Sequence, residues 1–160
     1  MKVPFTSKTQ TVQDSWIDYN GHMNVGYYTF AFDEAIDEFL ELSMGIGPKF
    51  VATSGQGSYA LQSQYRYLNE LILNQEFNIH IFVADFTAKR IHLMLEMKSI
   101  DGFTLYATCE TILVNVDLKG RKSCEYPHFA QTILHQLYEA AKTIRHNTEI
   151  GHPIGLRKKS

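Results

Sequence analysis

The chain has little cysteine, and no apolar run in it approaches the length of a membrane span. Its two cysteines, Cys109 and Cys124, lie 15 residues apart, a spacing that fits neither a disulfide framework nor a zinc motif. A helix that crosses a bilayer needs about 20 apolar residues, and the N-terminus lacks the apolar run of a signal peptide. We therefore expect a soluble, cytoplasmic protein with reduced thiols and no membrane association.

The chain also lacks the excess of positive charge that nucleic-acid-binding domains usually carry. Its formal net charge is -2, which argues against nucleic acid as a partner. The short basic stretch at residues 157–159 has the character of a solvated terminus, and it is too short to indicate a membrane-binding patch. Since the chain has 160 residues, we expect one domain over residues 1–160.

Several motifs of catalysis are missing as well. The seven histidines contain no i, i+4 pair, so a zinc site has no support. Residues 54–58 lack the spacing and the strand–helix context of a G-x-S-x-G nucleophile elbow. There is no G-x-G-x-x-G sequence after a strand and no phosphate-binding loop. The sequence thus gives no support for a metal site, a serine hydrolase or a nucleotide-binding fold.

A strongly amphipathic helix is predicted over Val25–Leu42. Apolar residues recur there at spacings of three and four, and acidic residues fall largely between them. Asn24 is a suitable N-cap, and Gly45, Gly47 and Pro48 end the helix. Because one side of this helix is apolar, another layer of structure must cover it.

Four strand-like runs follow a loop predicted over residues 52–58. Asp101-Gly102 marks a hairpin between the last two runs, and consecutive strands joined by tight turns pair antiparallel. A weak first strand over Thr9–Ile17 and a C-terminal helix over Phe129–Arg145 complete the order. One long helix against one antiparallel sheet predicts an α+β fold. The four runs are Ser58–Leu68, Glu76–Ala84, Arg90–Lys98 and Phe103–Val116.

The segment before the long helix holds the most informative chemistry. Asp18, His22 and Asn24 place a carboxylate, an imidazole and a carboxamide within seven residues, with Gly21 among them. A carboxylate can activate a nucleophile or act as one. The free N–H groups of the first helical turn can hold a developing oxyanion. This arrangement favours hydrolysis of an activated acyl group.

The sequence Asp18-x-x-Gly21-His22-Met23-Asn24, followed by Tyr28, resembles the hotdog-fold thioesterases. More narrowly, it is similar to the 4-hydroxybenzoyl-CoA thioesterase-like superfamily, and the likeness of predicted elements extends over about residues 8–145. The resemblance implies a sheet wrapped around a central helix, an acyl-CoA substrate, and neither a metal nor a redox cofactor. It also implies a homodimer or homotetramer with active sites at the interface between subunits.

A closer likeness is carried by residues 20–25 and 88–93. These segments resemble the betainyl-CoA thioesterases found with carnitine catabolism. Trp16 departs from the superfamily pattern, because many members have a second acidic residue there; this departure puts a mechanism with two carboxylates in doubt.

The resemblance assigns three residues to catalysis, each with an alternative. The resemblance implies that Asp18 is the catalytic carboxylate, as nucleophile or general base. The alternative is that Asp18 only accepts backbone hydrogen bonds in its turn, as an aspartate there often does. His22 either orients Asp18 or the substrate, or supports the loop. The backbone N–H of Val25 corresponds to the group that points at the thioester oxygen.

Six further residues are candidates for substrate binding. Asn24 contacts the substrate or only caps the helix, and Tyr28 lines the acyl pocket or packs in the core. Aromatic residues such as Tyr59 suit a quaternary ammonium, an aryl group or ordinary packing. Three basic residues remain: Arg66, which faces the pocket or packs across strands, and Lys89 and Arg90, which bind CoA phosphates or lie in a solvated turn.

The function that these residues favour is hydrolysis of a small acyl-CoA, with betainyl-CoA as one possible substrate. The alternative is a hotdog module that binds acyl-CoA without turnover. A hotdog dehydratase is less favoured, because the His/Asp loop pattern of those proteins is absent.

Overall fold

The computed structural model describes residues 3–144 and 150–156. They form one seven-stranded sheet with three α-helices. The order of the strands is β1-β4-β5-β6-β3, while β2 also pairs with β4 and β7 with β6, and every pairing is antiparallel. Among the described residues, no helix is long and apolar enough to cross a membrane.

The long helix α1 spans Val25–Leu42, as predicted. Its N-cap is Asn24, whose side chain accepts a hydrogen bond from the N–H of Gly26 at 2.9 Å, so one of the unpaired amides of the first turn is occupied. The apolar face is buried against the sheet, with Phe32 at 0% and Phe39 at 1% exposure. Burial of side chains of this size contributes roughly 1.5–3 kcal/mol each, which makes α1 the centre of the fold.

The four long strands follow the predicted runs closely. Strands β4, β5 and β6 are largely buried, whereas most of β3 is exposed or half-buried; Tyr65 of β3 packs against Phe32 of α1. The prediction of an α+β hotdog fold, with the sheet wrapped around a long helix, is confirmed. The strands are β3 at Gln56–Tyr67, β4 at Glu76–Phe86, β5 at Arg90–Ser99 and β6 at Leu105–Asp117.

The prediction of a strand over residues 9–17 is confirmed only at Gln10–Thr11 and is wrong for the rest of the span. Two short strands, β1 at Phe5–Thr6 and β2 at Gln10–Thr11, are followed by a 3-10 helix at Asp14–Trp16. The chain leaves the sheet after β2, and Trp16 stacks on Tyr27 of α1 with ring centroids 5.2 Å apart.

Two helices also differ from the prediction. Residues 52–54, expected in a loop, end a short helix α2 at Pro48–Ser54, which has proline in its first turn and Gly55 in a left-handed conformation at its C-terminus. The C-terminal helix α3 spans His128–Ala141, so it ends before the predicted end at residue 145; residue 145 itself lies outside the described residues, as do residues 157–159. A final two-residue strand, β7 at Lys122–Ser123, pairs with the end of β6.

Strand β3 forms one edge of the sheet. It pairs with β6 on one side, and no other described strand pairs with it. Its register shifts between Ala60 and Gln62, so Leu61 is the extra residue of a β-bulge and its side chain is 56% exposed. The bulge changes which residues face α1: Ser58 and Ala60 before it, Ser63 and Tyr65 after it.

Candidate active site

A tight turn before α1 presents Asp18. The N–H of Asp18 donates to the carbonyl of His22, and the N–H of Gly21 donates to the carbonyl of Asp18, both at 3.0 Å. Gly21 has a φ of +79°, which side chains with a Cβ rarely adopt. Met23 is buried, and its N–H donates to the carbonyl of Leu71 at 2.7 Å. The turn is therefore fixed both within itself and to the segment after β3.

Two hydrogen bonds hold the Asp18 carboxylate. Its Oδ1 accepts from the backbone N–H of Asn20 at 2.8 Å, and its Oδ2 accepts from Asn24 Nδ2 at 3.3 Å. The side chain is only 14% exposed. A structural role of Asp18 in the turn is thus compatible with a catalytic role. Each carboxylate oxygen accepts one hydrogen bond and keeps a further lone pair for another partner.

The N-terminus of α1 faces the same space as Asp18. Val25 is the first helical residue, and among the described residues no acceptor pairs with its N–H. The amides of a first helical turn carry a partial positive charge. Asp18 and the Val25 N–H therefore offer a carboxylate and an anion-stabilising donor to one bound group.

His22 lies between two carboxylates. Its Nδ1 is 3.4 Å from Glu70 Oε2, and its Nε2 is 3.9 Å from Asp18 Oδ1. The second distance is too long for a hydrogen bond. His22 therefore contacts Glu70 more closely than Asp18 and does not orient Asp18 directly in this structure. Glu70 was not recognised in the sequence, because it is far from the motif along the chain and lies in no motif of its own.

A cavity of about 460 Å³ joins these residues. Tyr28 and Tyr67 meet edge to face in its wall, with ring centroids 5.3 Å apart. The Tyr28 hydroxyl accepts the N–H of Leu71 at 3.2 Å, and burial raises the pKa of this hydroxyl above its ordinary value. Five of the predicted site residues line this one cavity: Asp18, His22, Asn24, Val25 and Tyr28.

The other four predicted residues lie elsewhere in this chain. Arg66 directly follows Tyr65 on β3, and successive side chains of a strand lie on opposite faces of the sheet. Tyr59 stands opposite Val114 of β6, which stands opposite Arg90 of β5, and Lys89 precedes Arg90 in the turn. Tyr59 is eight residues from Tyr67 along β3, or about 26 Å away. Their role in substrate binding stays a prediction.

A second cavity, of about 470 Å³, lies between α1 and β3. We call it the α1–β3 groove. At one end is Gly26, directly after Val25, and two helical turns further along is Asp33. Tyr65 of β3 forms part of the opposite wall. Sequence reasoning did not single out Asp33, since an acidic residue on a helix is usually solvated.

No group of three or more His, Cys, Asp or Glu side chains in residues 3–144 and 150–156 could hold a metal ion. The chemistry available at the cavity comes from the carboxylate, the imidazole and the helix N-terminus. A carboxylate beside an oxyanion-binding N–H suits attack on an acyl carbonyl.

Comparison with known proteins also indicates a thioesterase. The model of the thioesterase-like superfamily matches residues 12–137. A Staphylococcus aureus protein solved in complex with CoA is 30% identical and superimposes with a TM-score of 0.88, with 98% of each chain covered. A 1,4-dihydroxy-2-naphthoyl-CoA thioesterase from Synechocystis, 18% identical, superimposes with a TM-score of 0.72 over 83% of this chain and 96% of that one. The second likeness concerns the fold alone.

Curated relatives include enzymes with two named activities. An L-carnitine dehydrogenase/betainyl-CoA thioesterase from Ruegeria pomeroyi is 30% identical over 121 residues, which are 76% of this chain and 24% of that protein. This chain thus spans about a quarter of the length of that relative. A betainyl-CoA thioesterase from Pseudomonas aeruginosa is 23% identical over 156 residues, with 98% of both chains covered.

Proposed function

Because the chain belongs to the thioesterase-like superfamily, we propose that it hydrolyses an acyl-CoA thioester to the free acid and CoA. The family predicted from the motif is confirmed. The observation that carries the proposal is that Asp18 and the Val25 N–H line one cavity. A bound thioester there meets a carboxylate at its carbonyl carbon and a hydrogen-bond donor at its carbonyl oxygen.

In the reaction, the thioester oxygen accepts the Val25 N–H, and the field of α1 stabilises the negative charge that develops on it. Asp18 acts in one of two ways. As general base it takes a proton from water, whose oxygen adds to the carbonyl carbon; the C–S bond then breaks, and the proton passes to the thiolate of CoA. As nucleophile it forms an acyl anhydride, which water hydrolyses after the thiolate has left.

The nucleophilic route changes the Asp18 oxygens when water attacks the aspartyl carbonyl of the anhydride, and the general-base route never changes them. A single turnover in ¹⁸O-labelled water puts label into the Asp18 carboxylate only on the nucleophilic route, when water attacks the aspartyl carbonyl, and otherwise puts it only into the released acid. Mass spectrometry of the peptide that contains Asp18 separates these outcomes.

The substrate class rests on the relatives. The Staphylococcus aureus structure contains CoA, and the names of the curated relatives give betainyl-CoA as their substrate. We therefore propose a small acyl-CoA, with betainyl-CoA as the first candidate. No metal or redox cofactor enters the proposed reaction, and CoA belongs to the substrate.

A homodimer would bring the separated binding residues to the site. If two copies pair antiparallel along β3 about Ser63, the end of β3 that carries Tyr59 in one copy lies beside the end that carries Tyr67 in the other. Lys89 and Arg90 of the second copy, which share a cross-strand row with its Tyr59, then approach the first copy's cavity and can meet CoA phosphates. The long exposed edge of β3 supports this pairing, and a tetramer would combine two such dimers.

The compartment that fits this proposal is the cytoplasm. Both Cys109 and Cys124 are free thiols, the state that a reducing compartment maintains.

Thiol release from a panel of betainyl, aryl and straight-chain acyl-CoAs tests the function. The proposal predicts turnover of at least one small acyl-CoA at a rate far above the background in buffer. Tight binding of these esters without thiol release would instead identify a binding module and overturn the proposal.

A further inference from the structure

The acids of α1 fall into two sets with different surroundings. On one side, Glu34 is 3.8 Å from Lys8 Nζ, Glu38 accepts the backbone N–H of Lys8, and Glu41 is 3.0 Å from Lys49 Nζ. On the other side, Asp33 and Asp37 line the α1–β3 groove. No ion pair or hydrogen bond joins either aspartate side chain to another described residue.

The rest of the α1–β3 groove is neutral. No Lys, Arg or His is among its lining residues. The Ser63 and Thr111 hydroxyls are 2.8 Å apart, and Thr111 also donates to the carbonyl of Gln62 at 3.0 Å, so these groups are already paired. Among the described residues that line the groove, Asp33 and Asp37 therefore carry the only charged side chains. In agreement with this, burial and then the neighbouring Asp33 and Glu34 charges raise the pKa of Asp37 above its ordinary value.

The α1–β3 groove starts where the thioester is expected to bind. Gly26 lines it and directly follows Val25, whose N–H donates a hydrogen bond to the thioester oxygen in the proposed reaction. Residues 26, 29, 30 and 33 follow one another along a single face of α1. Asp33 lies about 10 Å along the helix from Gly26, and its side chain leans back toward the helix N-terminus. If the thioester carbonyl lies at the Val25 N–H and the acyl group follows the groove, the acyl group extends toward Asp33.

The walls of this path suit a bulky cation. Phe30 and Tyr65 both line the groove, and the faces of aromatic rings attract quaternary ammonium groups. Tyr65 packs against Phe32 with ring centroids 5.9 Å apart, which fixes its ring. A cation bound here would be attracted by the Asp33 carboxylate, and it would not have to displace a lysine or arginine side chain from that carboxylate.

We propose that Asp33 determines the specificity of this site by selecting acyl groups that carry a positive charge. The inference rests on the proposed acyl-CoA hydrolysis and adds the residue that reads the charge of the acyl group. Asp33 takes no part in bond making; it lowers the energy of a bound ammonium by Coulomb attraction at a distance of several ångströms. Asp37, one turn further along α1, contributes less.

The test compares two esters of the same shape: betainyl-CoA and 3,3-dimethylbutyryl-CoA, in which a carbon replaces the charged nitrogen. The wild-type protein should prefer the charged ester in kcat/KM. Asp33→Asn should reduce that preference about tenfold, a plausible size for one partly screened charge pair, while kcat/KM for the neutral ester is unchanged or slightly raised. Asp37→Asn should have a smaller effect in the same direction.

Glu34→Gln is the matched control, since it removes the same charge from the adjacent position outside the groove. It should leave the preference unchanged within about twofold, which accounts for any general effect of net charge on the binding of anionic CoA. A wild-type protein with no preference for the charged ester, or equal losses for both esters in Asp33→Asn, would overturn the inference.

Binding keeps this test separate from the proposed hydrolysis. If the protein cleaves neither ester, the affinities of the two esters can be measured directly by calorimetry, while the wider panel of acyl-CoAs decides the proposed hydrolysis. A preference for the charged ester that Asp33→Asn removes still supports the role of Asp33, and equal affinities contradict it.

Discussion

The side chain of Asn24 connects Asp18 to the N-terminus of α1. Its Nδ2 donates to Asp18 Oδ2 at 3.3 Å, while its Oδ1 accepts the N–H of Gly26 at 2.9 Å. The same carboxamide thus caps the helix and restrains the carboxylate beside it. Because both amide ends are in use, the position of Asp18 relative to the Val25 N–H depends on Asn24.

Two substitutions at Asn24 should separate its two roles. Asn24→Ala removes both bonds and should cost about 1 kcal/mol of stability through the lost cap. Asn24→Ser retains a capping oxygen but loses the amide donor to Asp18. We expect Asn24→Ser to be close to wild type in urea unfolding but at least several-fold lower in kcat, and Asn24→Ala to be lower in both. Equal kcat values for Asn24→Ser and wild type would show that the bond to Asp18 is unimportant.

Gly21→Ala should affect activity as well as stability. Gly21 has a φ of +79°, and so does Gly102 in the hairpin between β5 and β6; an added Cβ would have no heavy atom within 4 Å at either position. The backbone strain is therefore matched, at roughly 1–2 kcal/mol for each alanine. We expect similar losses in the free energy of unfolding but a loss of kcat in Gly21→Ala alone. Equal activity in the two variants would mean that the turn does not position Asp18.

Tyr28→Phe should destabilise the protein. The Tyr28 hydroxyl accepts the N–H of Leu71 at 3.2 Å, and without it this buried amide loses its partner, which costs about 1–3 kcal/mol. Urea unfolding measures the change. Tyr19→Phe is the control, because Tyr19 is 97% exposed and its substitution should have little effect. A Tyr28→Phe variant as stable as wild type would indicate that Leu71 finds another acceptor.

The buried thiol of Cys109 should make stability depend on alkaline pH. Burial raises the pKa of Cys109 to about 12, above the ordinary value of about 8.5 that it regains on unfolding. Its contribution is fully present below the unfolded pKa and is lost as pH rises toward the folded pKa, because the unfolded state releases the proton first. From this group alone, the free energy of unfolding should fall by about 1.4 kcal/mol per pH unit above pH 9.

Cys109→Ala tests this dependence. The variant should lose less stability than wild type between pH 8 and about pH 10.5, after subtraction of its constant deficit at neutral pH. Parallel curves for the two proteins would contradict a buried, protonated Cys109. Thiol reagents should correspondingly modify the less buried Cys124 in the native protein and reach Cys109 only on unfolding.

Local patterns predicted most of the fold. The bounds of α1 follow from its apolar spacing and from the Asn24 cap, both of which are visible in the sequence. The hairpin at Asp101-Gly102 follows from turn chemistry, and in the structure the Asp101 side chain accepts the N–H of Phe103 at 3.0 Å. Signals of this kind act within one turn or one strand, so one sequence contains them in full.

The errors arose where distant contacts outweigh local preference. After β2 the chain leaves the sheet because Trp16 gains burial against α1, which no local spacing shows. In the site, Tyr67 and Glu70 reach the cavity only through the fold of β3 and the segment after it. The motif therefore identified the five residues around Asp18, whereas the groove with Asp33 required the packing of α1 against β3.

The most direct test of the account is the turnover of Asp18→Asn. The substitution keeps the size of the side chain and an oxygen that can accept the Asn20 N–H, but it removes the charge that attacks or activates water. With the acyl-CoA that wild type hydrolyses best, kcat should fall at least about 100-fold, while the thermal unfolding midpoint stays near that of wild type. Asp14→Asn, an exposed position outside the cavity, should retain full activity. An Asp18→Asn variant that is folded and hydrolyses the thioester at a near-wild-type rate would contradict the account.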